Sequence, residues 1–334
     1  MQTKKAMYGV GAIAVIIVIA FGYQYLHERT APLLRDAGKV GQAAAAGFST
    51  EGLKMDFGRS YGTDTKQTVD LVYRPGLSNA PIIVLVHGGG FVGGSSKDMA
   101  SFATFFANMG YVAASVNYRL ASRSGDGANG FPIPVNDVAC SVAWIKSNAA
   151  RYGGNPQKVI IMGHSAGANL AAMVAFNPSP EYLAGCKTTG QTLTTAAFIG
   201  SSGPYDFGLV RKERWEPGCY LQKFLGLSAC STTNASWKSA DKTKLRATSP
   251  ITYVSAGDPT SLIITGDKDC YLNTPNWINR CIANSTAMAS ALKKAGVANR
   301  LSIIKGFDHG SFALTFNTTP SSQKLLSNFL SNVR

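Results

Sequence analysis

The sequence predicts a doubly wound α/β fold with a mostly parallel sheet of about eight strands. Short apolar segments, such as 81–86 and 158–162, alternate with longer helical segments, such as 166–176. Continuous apolar strands separated by helices are typical of a parallel sheet that is buried on both faces. The chain has 334 residues, of which 45% are hydrophobic, so it can bury one large core.

The individual elements follow from the spacing of apolar residues and from the turn residues between them. Two strands near the start are expected at 53–57 and 67–73, and the second alternates as a half-buried strand does. The other predicted strands are 81–86, 111–116, 158–162, 196–199, 262–265 and 301–304, and the predicted helices are 99–109, 135–152, 166–176, 285–294 and 321–332.

Residues 203–258 interrupt this alternation. They contain Trp215 and Trp237, many polar residues and no clear periodicity. A long irregular connection inside a compact domain is usually a lid or a binding loop. We therefore expect a small cap-like insertion here, within a catalytic domain that covers 31–334.

The first 30 residues predict a signal-anchor or signal segment. Lys4 and Lys5 precede an uncharged, mostly apolar run over 6–26, which is long enough to span a bilayer as a helix. A cleaved secretory signal is the alternative, although no clear cleavage site follows Ala20. Since the positive end stays inside on either reading, the domain is expected to be exported. It would be anchored to the membrane and face the periplasm or the outside, or be secreted if the segment is cleaved.

The cysteines agree with export. An even number of six suggests disulfides in an exported protein, with 15 possible connectivities. Cys219/Cys230 and Cys270/Cys281 are two local pairs with the same short separation, which leaves Cys140 to pair with Cys186. Their spacing does not fit a zinc site, so no metal is expected.

The net charge is +14, but the basic residues are scattered along the chain. Such a charge favours anionic surfaces. No nucleic-acid-binding module accompanies it, so we expect no nucleic-acid partner.

Ser165 is the candidate nucleophile. It is the centre of a Gly-His-Ser-Ala-Gly segment, which follows a predicted strand and opens a predicted helix. A serine on a sharp strand-to-helix turn needs small neighbours, and glycine stands at both ends of this segment. The helix N-terminus behind the serine favours negative charge.

A glycine loop follows the strand at 81–86 and forms the candidate oxyanion hole. Its sequence is His87-Gly88-Gly89-Gly90, and consecutive glycines let backbone N–H groups approach a ligand closely. Together with the Ala166 N–H, those of Gly89 and Gly90 would stabilise the negative oxygen of a tetrahedral intermediate.

Elimination among four histidines makes His309 the candidate base. His27 flanks the N-terminal segment, His87 is expected to hold the glycine loop by hydrogen bonds, and His164 is expected to point away from its neighbour Ser165. His309 follows the last predicted strand, where a loop can bring its imidazole over the serine.

Asp269 is the candidate acid. The acid of such a triad lies between serine and histidine along the chain, just past a strand end, and the segment 266–269 follows the strand at 262–265. Asp267 is the second choice and more naturally organises the turn. The acid fixes the imidazole tautomer and stabilises the imidazolium.

These motifs, with the Asn117-Tyr118-Arg119 segment, resemble those of the hormone-sensitive-lipase-like carboxylesterases, a family of α/β-hydrolases. The resemblance covers roughly residues 50–330 and implies the same triad and oxyanion donors. His164 is a departure, because the family usually has an acidic residue there. The same motifs recur in feruloyl and acetylxylan esterases and in arylformamidases.

The function expected from this resemblance is hydrolysis of carboxylic esters through an acyl-enzyme, without a cofactor. The substrate would be a short-chain or aryl ester, carried by a small molecule or a polymer. The alternatives are an amide hydrolase such as an arylformamidase, and a non-catalytic binding protein on a hydrolase scaffold.

Overall fold

The computed structural model describes residues 47–121, 129–210, 220–226, 239–269, 275–310 and 316–333. The N-terminal segment 1–30, expected to be an anchor or a signal, lies outside these residues. Within them, no helix is both long and apolar enough to cross a bilayer.

Eight strands of the described chain form one sheet in the order β1-β2-β4-β3-β5-β6-β7-β8. The pairs β1–β2 and β2–β4 are antiparallel, and the five other pairs are parallel. This confirms the predicted sheet. The strands are β1 Lys54–Ser60, β2 Thr68–Tyr73, β3 Ala80–Val86, β4 Val112–Val116, β5 Gly154–His164, β6 Ala197–Ser201, β7 Thr260–Gly266 and β8 Asn299–Ile304.

The α-helices of the described chain are α1 Ala100–Asn108, α2 Ile133–Asn148, α3 Ala166–Phe176, α4 Phe207–Val210, α5 Tyr220–Phe224, α6 Ser239–Ala247, α7 Pro275–Lys294 and α8 Pro320–Leu330. Helix α3 has the predicted bounds, because a serine and an Asn-Pro pair delimit it. Helix α7 begins at Pro275, ten residues before the predicted start, and proline is favoured in the first turn of a helix.

Helices cover both faces of the sheet. Along β3, Ile82 and Val84 pack on the face that carries α2, α3 and α7, whereas Ile83 and Leu85 pack on the face that carries α1 and α8. All four side chains are fully buried. Because successive side chains of a strand point to opposite faces, the continuous apolar sequence of β3 is what a sheet covered on both sides requires.

The strand order reverses at β3. The chain passes from β3 to β4 on one side and returns to β5 on the other, so that β3 lies between them. In open α/β sheets, ligands bind beyond the carboxyl ends of the strands at such a reversal. The glycine loop follows β3 and Ser165 follows β5, so the fold brings these two motifs to the same edge.

Candidate active site

Ser165 lies in a strained turn between β5 and α3. Its backbone angles are φ 56° and ψ −126°, which side-chain-bearing residues rarely adopt. The turn is tight because Cβ atoms are excluded on both sides. A Cβ on Gly163 would lie 2.2 Å from the carbonyl oxygen of Gly167, and one on Gly167 would lie 2.2 Å from that of Val86. Both glycines are therefore needed for the close approach of β3, β5 and α3.

Ser165, His309 and Asp269 form one hydrogen-bonded line. His309 Nε2 lies 2.9 Å from Ser165 Oγ, and His309 Nδ1 lies 2.8 Å from Asp269 Oδ1. All three side chains belong to residues that are at most 9% exposed. The structure thus brings the predicted nucleophile, base and acid together from three separate loops, each of which follows a strand of the sheet.

Asp269 is held as a carboxylate. It is fully buried, which by itself raises its pKa, but hydrogen bonds from His309 and Thr265 outweigh burial and the net pKa lies below the usual value. Thr265 Oγ1 donates to Asp269 Oδ2 at 2.9 Å, which leaves Oδ1 to the imidazole. This role of Thr265 was missed from the sequence alone. Its position near the end of β7, just before the acid, was the signal that could have suggested a hydrogen bond to the Asp269 carboxylate.

The glycine loop approaches Ser165 closely. A Cβ on Gly88 would lie 3.0 Å from Ser165 Cβ. Gly89 has φ 111°, and a Cβ there would lie 2.3 Å from the carbonyl oxygen of Gly93. In the described chain, the N–H groups of Gly89, Gly90 and Ala166 donate to no backbone carbonyl, and for Ala166 this follows from its place as first residue of α3. The glycine loop and the residue after the serine therefore carry three N–H groups without a backbone acceptor among the described residues.

His87 fixes the start of the glycine loop, as expected. Its Nδ1 lies 2.8 Å from the carbonyl oxygen of Gly88. Its ring stacks on that of Tyr118 with 4.3 Å between centroids, and the Tyr118 hydroxyl donates to the His87 carbonyl at 2.9 Å. The role of Tyr118 was missed, because only the tertiary structure shows that the end of β4 lies beside the end of β3.

Asp267 organises the turn after β7. Its Oδ1 accepts a hydrogen bond from the Gly306 N–H at 2.6 Å, and its own N–H donates to Ile304 at 3.0 Å. It therefore ties the turn to the end of β8, whereas Asp269 is the carboxylate that contacts His309. Asp258 accepts hydrogen bonds from the backbone N–H and the hydroxyl of Ser255, at 2.7 and 3.1 Å.

His164 was expected to point away from Ser165, but both side chains lie beside Gly88, at 3.0 Å (Ser165 Cβ) and 3.1 Å (His164 Nδ1) from the position of a Cβ there. The ring centroid of His164 lies 4.8 Å from that of His309, and the two rings are tilted by 42°. The expectation was wrong because Ser165 has a positive φ, which turns the chain so that His164 and Ser165 both face the loop that carries His309.

The described parts of the 203–258 insertion connect the sheet domain with the glycine loop. The backbone N–H of Tyr205 donates to Asn284 Oδ1 at 2.7 Å, so this end of the insertion is bound to α7. The ring of Phe224 stacks on that of Phe91 at 3.9 Å, and Phe91 directly follows the glycine loop. The rest of the insertion lies outside the described residues.

A disulfide joins Cys140 in α2 to Cys186, with 5.3 Å between Cα atoms. This is the pair that remains when the two local pairs are set aside, and its presence confirms that prediction. It indicates an oxidising environment, as in exported proteins. Cys219, Cys230 and Cys270, and the side chain of Cys281, lie outside the described structure, so the two local pairs stay predictions.

We expect the protein to lose stability when the pH falls from 7 to 4.5. Burial lowers the pKa of His87 to about 4, and burial together with His309 lowers that of His164 to about 3. In the unfolded chain both would bind protons below about pH 6.5, while the folded state does not. For each histidine, the free energy of unfolding therefore falls by up to about 1.4 kcal/mol for every unit by which the pH drops below about 6.5.

Urea unfolding at pH 7, 6 and 5 measures this dependence. The variant His87→Gln removes one of the two groups and should flatten the slope of unfolding free energy against pH. An unchanged slope in that variant would contradict the assignment of His87 as a buried neutral imidazole.

Among the described residues, no group of three or more His, Cys, Asp or Glu side chains is placed to hold a metal ion.

Comparisons with known proteins agree with this architecture. Esterase LipQ of Mycobacterium tuberculosis is 28% identical over 243 residues, which are 71% of this chain and 52% of the relative. Esterase LipC of the same organism is 26% identical over 262 residues, 76% of this chain and 61% of that protein. The chain thus spans little more than half the length of these curated relatives.

Two solved structures share the fold. The thermophilic esterase Est2 of Thermogutta terrifontis, with propionate bound, has a TM-score of 0.62 at 24% identity and covers 85% of this chain and 96% of that one. A truncated carbohydrate esterase from gut microbiota has a TM-score of 0.63 at 18% identity and covers 86% and 96%. The BD-FAE family model matches residues 70–276, more than half of the sequence. The chain therefore belongs to the BD-FAE family and has an α/β-hydrolase fold.

Proposed function

We propose that this protein hydrolyses carboxylic esters through an acyl-enzyme on Ser165. The observation that carries the proposal is the line of hydrogen bonds from Ser165 Oγ through His309 to Asp269, at 2.9 and 2.8 Å. Nucleophile, base and orienting acid in this arrangement define the mechanism of serine hydrolases on unrelated folds. The esterase names of the relatives LipQ and LipC support the ester as substrate class.

The first half of the reaction forms the acyl-enzyme. Ser165 Oγ attacks the ester carbonyl while its proton moves to His309 Nε2. The buried Asp269 carboxylate stabilises the imidazolium and keeps its other nitrogen as a donor. The N–H groups of Gly89, Gly90 and Ala166 stabilise the oxygen that becomes negative, and His309 then protonates the leaving alcohol.

The second half releases the acid. A water molecule gives its proton to His309 Nε2 and attacks the acyl carbon, and the same three N–H groups stabilise the new tetrahedral intermediate. Collapse returns the proton to Ser165 Oγ and frees the carboxylic acid. Both halves use the same base, so one imidazole in one position accepts a proton and gives it up again in each half.

We expect short acyl groups to be preferred over long ones. The side of the glycine loop next to Phe91 is filled with aromatic rings, because Phe91, Phe207 and Phe224 are each at most 4% exposed and lie 3.9–6.3 Å apart. A long acyl chain would need this packing to open. A series of p-nitrophenyl esters from acetyl to palmitoyl measures the effect, and kcat/KM should fall beyond butyryl by at least about tenfold.

The matched control for the series is Phe224→Leu, which keeps an apolar side chain but removes the stacked ring. It should shift the preference towards longer chains. A rate that rises steadily from acetyl to palmitoyl in the unmodified protein would contradict the expected preference, while leaving ester hydrolysis itself supported.

Labelling with a fluorophosphonate probe tests the mechanism directly. The probe forms a covalent bond with an activated serine, so labelling of Ser165 found by peptide mapping is the expected result. Absence of both labelling and ester hydrolysis would favour a binding protein on a hydrolase scaffold. Labelling with turnover of an N-formyl aryl amide and not of esters would favour an amide hydrolase.

We further propose that the domain works outside the cytoplasm. The Cys140–Cys186 disulfide supports an oxidising compartment, and the apolar run over 6–26 fits a membrane anchor or a signal. Recovery of the full-length chain in the cytosolic fraction, with both cysteines reduced, would contradict this location.

A further inference from the structure

His164 occupies the space between the base and the glycine loop. It is the last residue of β5 and is 8% exposed. One side of its ring faces the ring of His309, at 4.8 Å between centroids. Its Nδ1 lies only 3.1 Å from the point at which a Cβ on Gly88 would stand. A single side chain thus contacts the loop of the base and the loop of the oxyanion donors.

The base needs more than its acid to be held in place. The bond to Asp269 fixes Nδ1, but the imidazole can still swing about that contact and move Nε2 away from Ser165. His164 packs against the imidazole and removes much of this freedom. The imidazole of the base is therefore restrained by a residue of the strand that carries the nucleophile.

His164 can do this without adding a charge. Burial, together with the neighbouring His309, lowers its pKa to about 3, although Asp269 acts in the opposite direction. The ring is therefore neutral at physiological pH. A neutral aromatic ring can remain packed against His309 both when the base is uncharged and after it has taken the proton of Ser165.

We propose that His164 is a positioning residue, which holds the His309 imidazole between Asp269 and Ser165 and spaces it from the glycine loop. The inference rests on the proposed function, since it concerns the geometry of the base during that reaction. His164 is the residue at which this chain departs from the pattern of the family that it resembles, and the proposal gives it a role in the site.

Three variants separate the contacts that His164 makes. His164→Ala removes both the ring and its polar nitrogens, His164→Phe keeps a ring of similar size, and His164→Gln keeps a polar donor. We expect His164→Ala to lower kcat for p-nitrophenyl acetate about 10- to 100-fold with KM changed less than about twofold, because a displaced base impairs proton transfer more than binding. The Phe and Gln variants should each recover part of the loss.

The control is Leu326→Ala, which removes a fully buried side chain of α8 on the opposite face of the sheet. It should lower thermal stability about as much as His164→Ala while leaving kcat per folded molecule within about twofold. Comparison of the two distinguishes loss of position from general loss of stability. The His164→Phe variant, which leaves little cavity, keeps the test valid if His164→Ala folds poorly.

Proton NMR gives a readout that does not depend on turnover. The proton between His309 Nδ1 and Asp269 should give a far-downfield resonance in the unmodified protein, which His164→Ala should broaden or remove. If all three variants keep this resonance and the kcat of the unmodified protein, the proposal is wrong and His164 is only a core residue. If the unmodified protein itself hydrolyses no ester and Ser165 takes no label, the proposed function fails instead.

Discussion

Replacing Ser165 with alanine is expected to lower kcat/KM for ester hydrolysis at least about 10³-fold. The Ser165 Oγ is the atom that His309 Nε2 contacts at 2.9 Å, so it is the hydroxyl placed to give its proton to the base. Loss of a triad member leaves only the contribution of the oxyanion hole and of substrate binding. Initial rates on p-nitrophenyl acetate, with active-site titration by a fluorophosphonate, measure the effect.

Ser322→Ala is the matched control. Ser322 is 1% exposed, close to the 3% of Ser165, but it lies in α8 on the other face of the sheet and contacts Thr319. The control variant should keep kcat/KM within about twofold. Near-normal turnover by Ser165→Ala would contradict the nucleophile and, with it, the proposed mechanism.

Replacing Asp269 with asparagine is expected to lower kcat roughly 10³- to 10⁴-fold. The asparagine amide can donate to Nδ1 and so favours the tautomer in which Nε2 carries the proton and cannot accept that of Ser165. It also removes the negative charge that stabilises the imidazolium. The asparagine side chain can still form a hydrogen bond with Thr265 Oγ1, so no buried polar group loses its partner and the fold is expected to persist. Steady-state kinetics together with a thermal unfolding curve measure both effects.

Asp267→Asn is the control for the acid. Asp267 lies two residues away on the same turn, and its Oδ1 accepts a hydrogen bond from Gly306 that an asparagine oxygen can also accept. Its kcat is expected to fall less than about tenfold. A folded Asp267→Asn variant that is more damaged than Asp269→Asn would show that the acid has been assigned wrongly.

The fold was accessible from the sequence because its signals are local. Apolar residues of β3 and β5 form continuous runs, and glycines and Asn-Pro pairs delimit the helices, so the doubly wound sheet and the bounds of α3 agree with the prediction. The prediction was less accurate where the local signal was weak. The start of β5 at Gly154 contains Pro156 and polar residues, and only pairing with its neighbour identifies it as strand.

The candidate triad was accessible for a related reason. Each of its members follows a strand, and in a parallel sheet the carboxyl ends of the strands share one edge, so topology alone brings Ser165, His309 and Asp269 near each other. Motif context selected the serine, and the small number of histidines selected the base. In the sequence, Asp269 was preferred to Asp267 only because it lies further past the turn. The structure gives a stronger argument, because Asp269 lies 2.8 Å from His309 whereas Asp267 accepts a hydrogen bond from Gly306.

By itself, the sequence determined the succession of the eight strands and the main helices along the chain, the place of the nucleophile turn and glycine loop, and the residues from which a triad could form. Only the tertiary structure decided that Thr265 supports the acid, that Tyr118 holds the glycine loop and that His164 packs against the base. The periodicity of apolar residues shows which face of a helix or strand is buried, but not which residue of another element lies against it. The contacts of Tyr118 and His164 join residues from different elements, and they depend on the order of strands in the sheet and on side-chain packing, neither of which leaves a pattern along the chain. The Thr265–Asp269 hydrogen bond spans only four residues, but the conformations of the two side chains decide whether it forms.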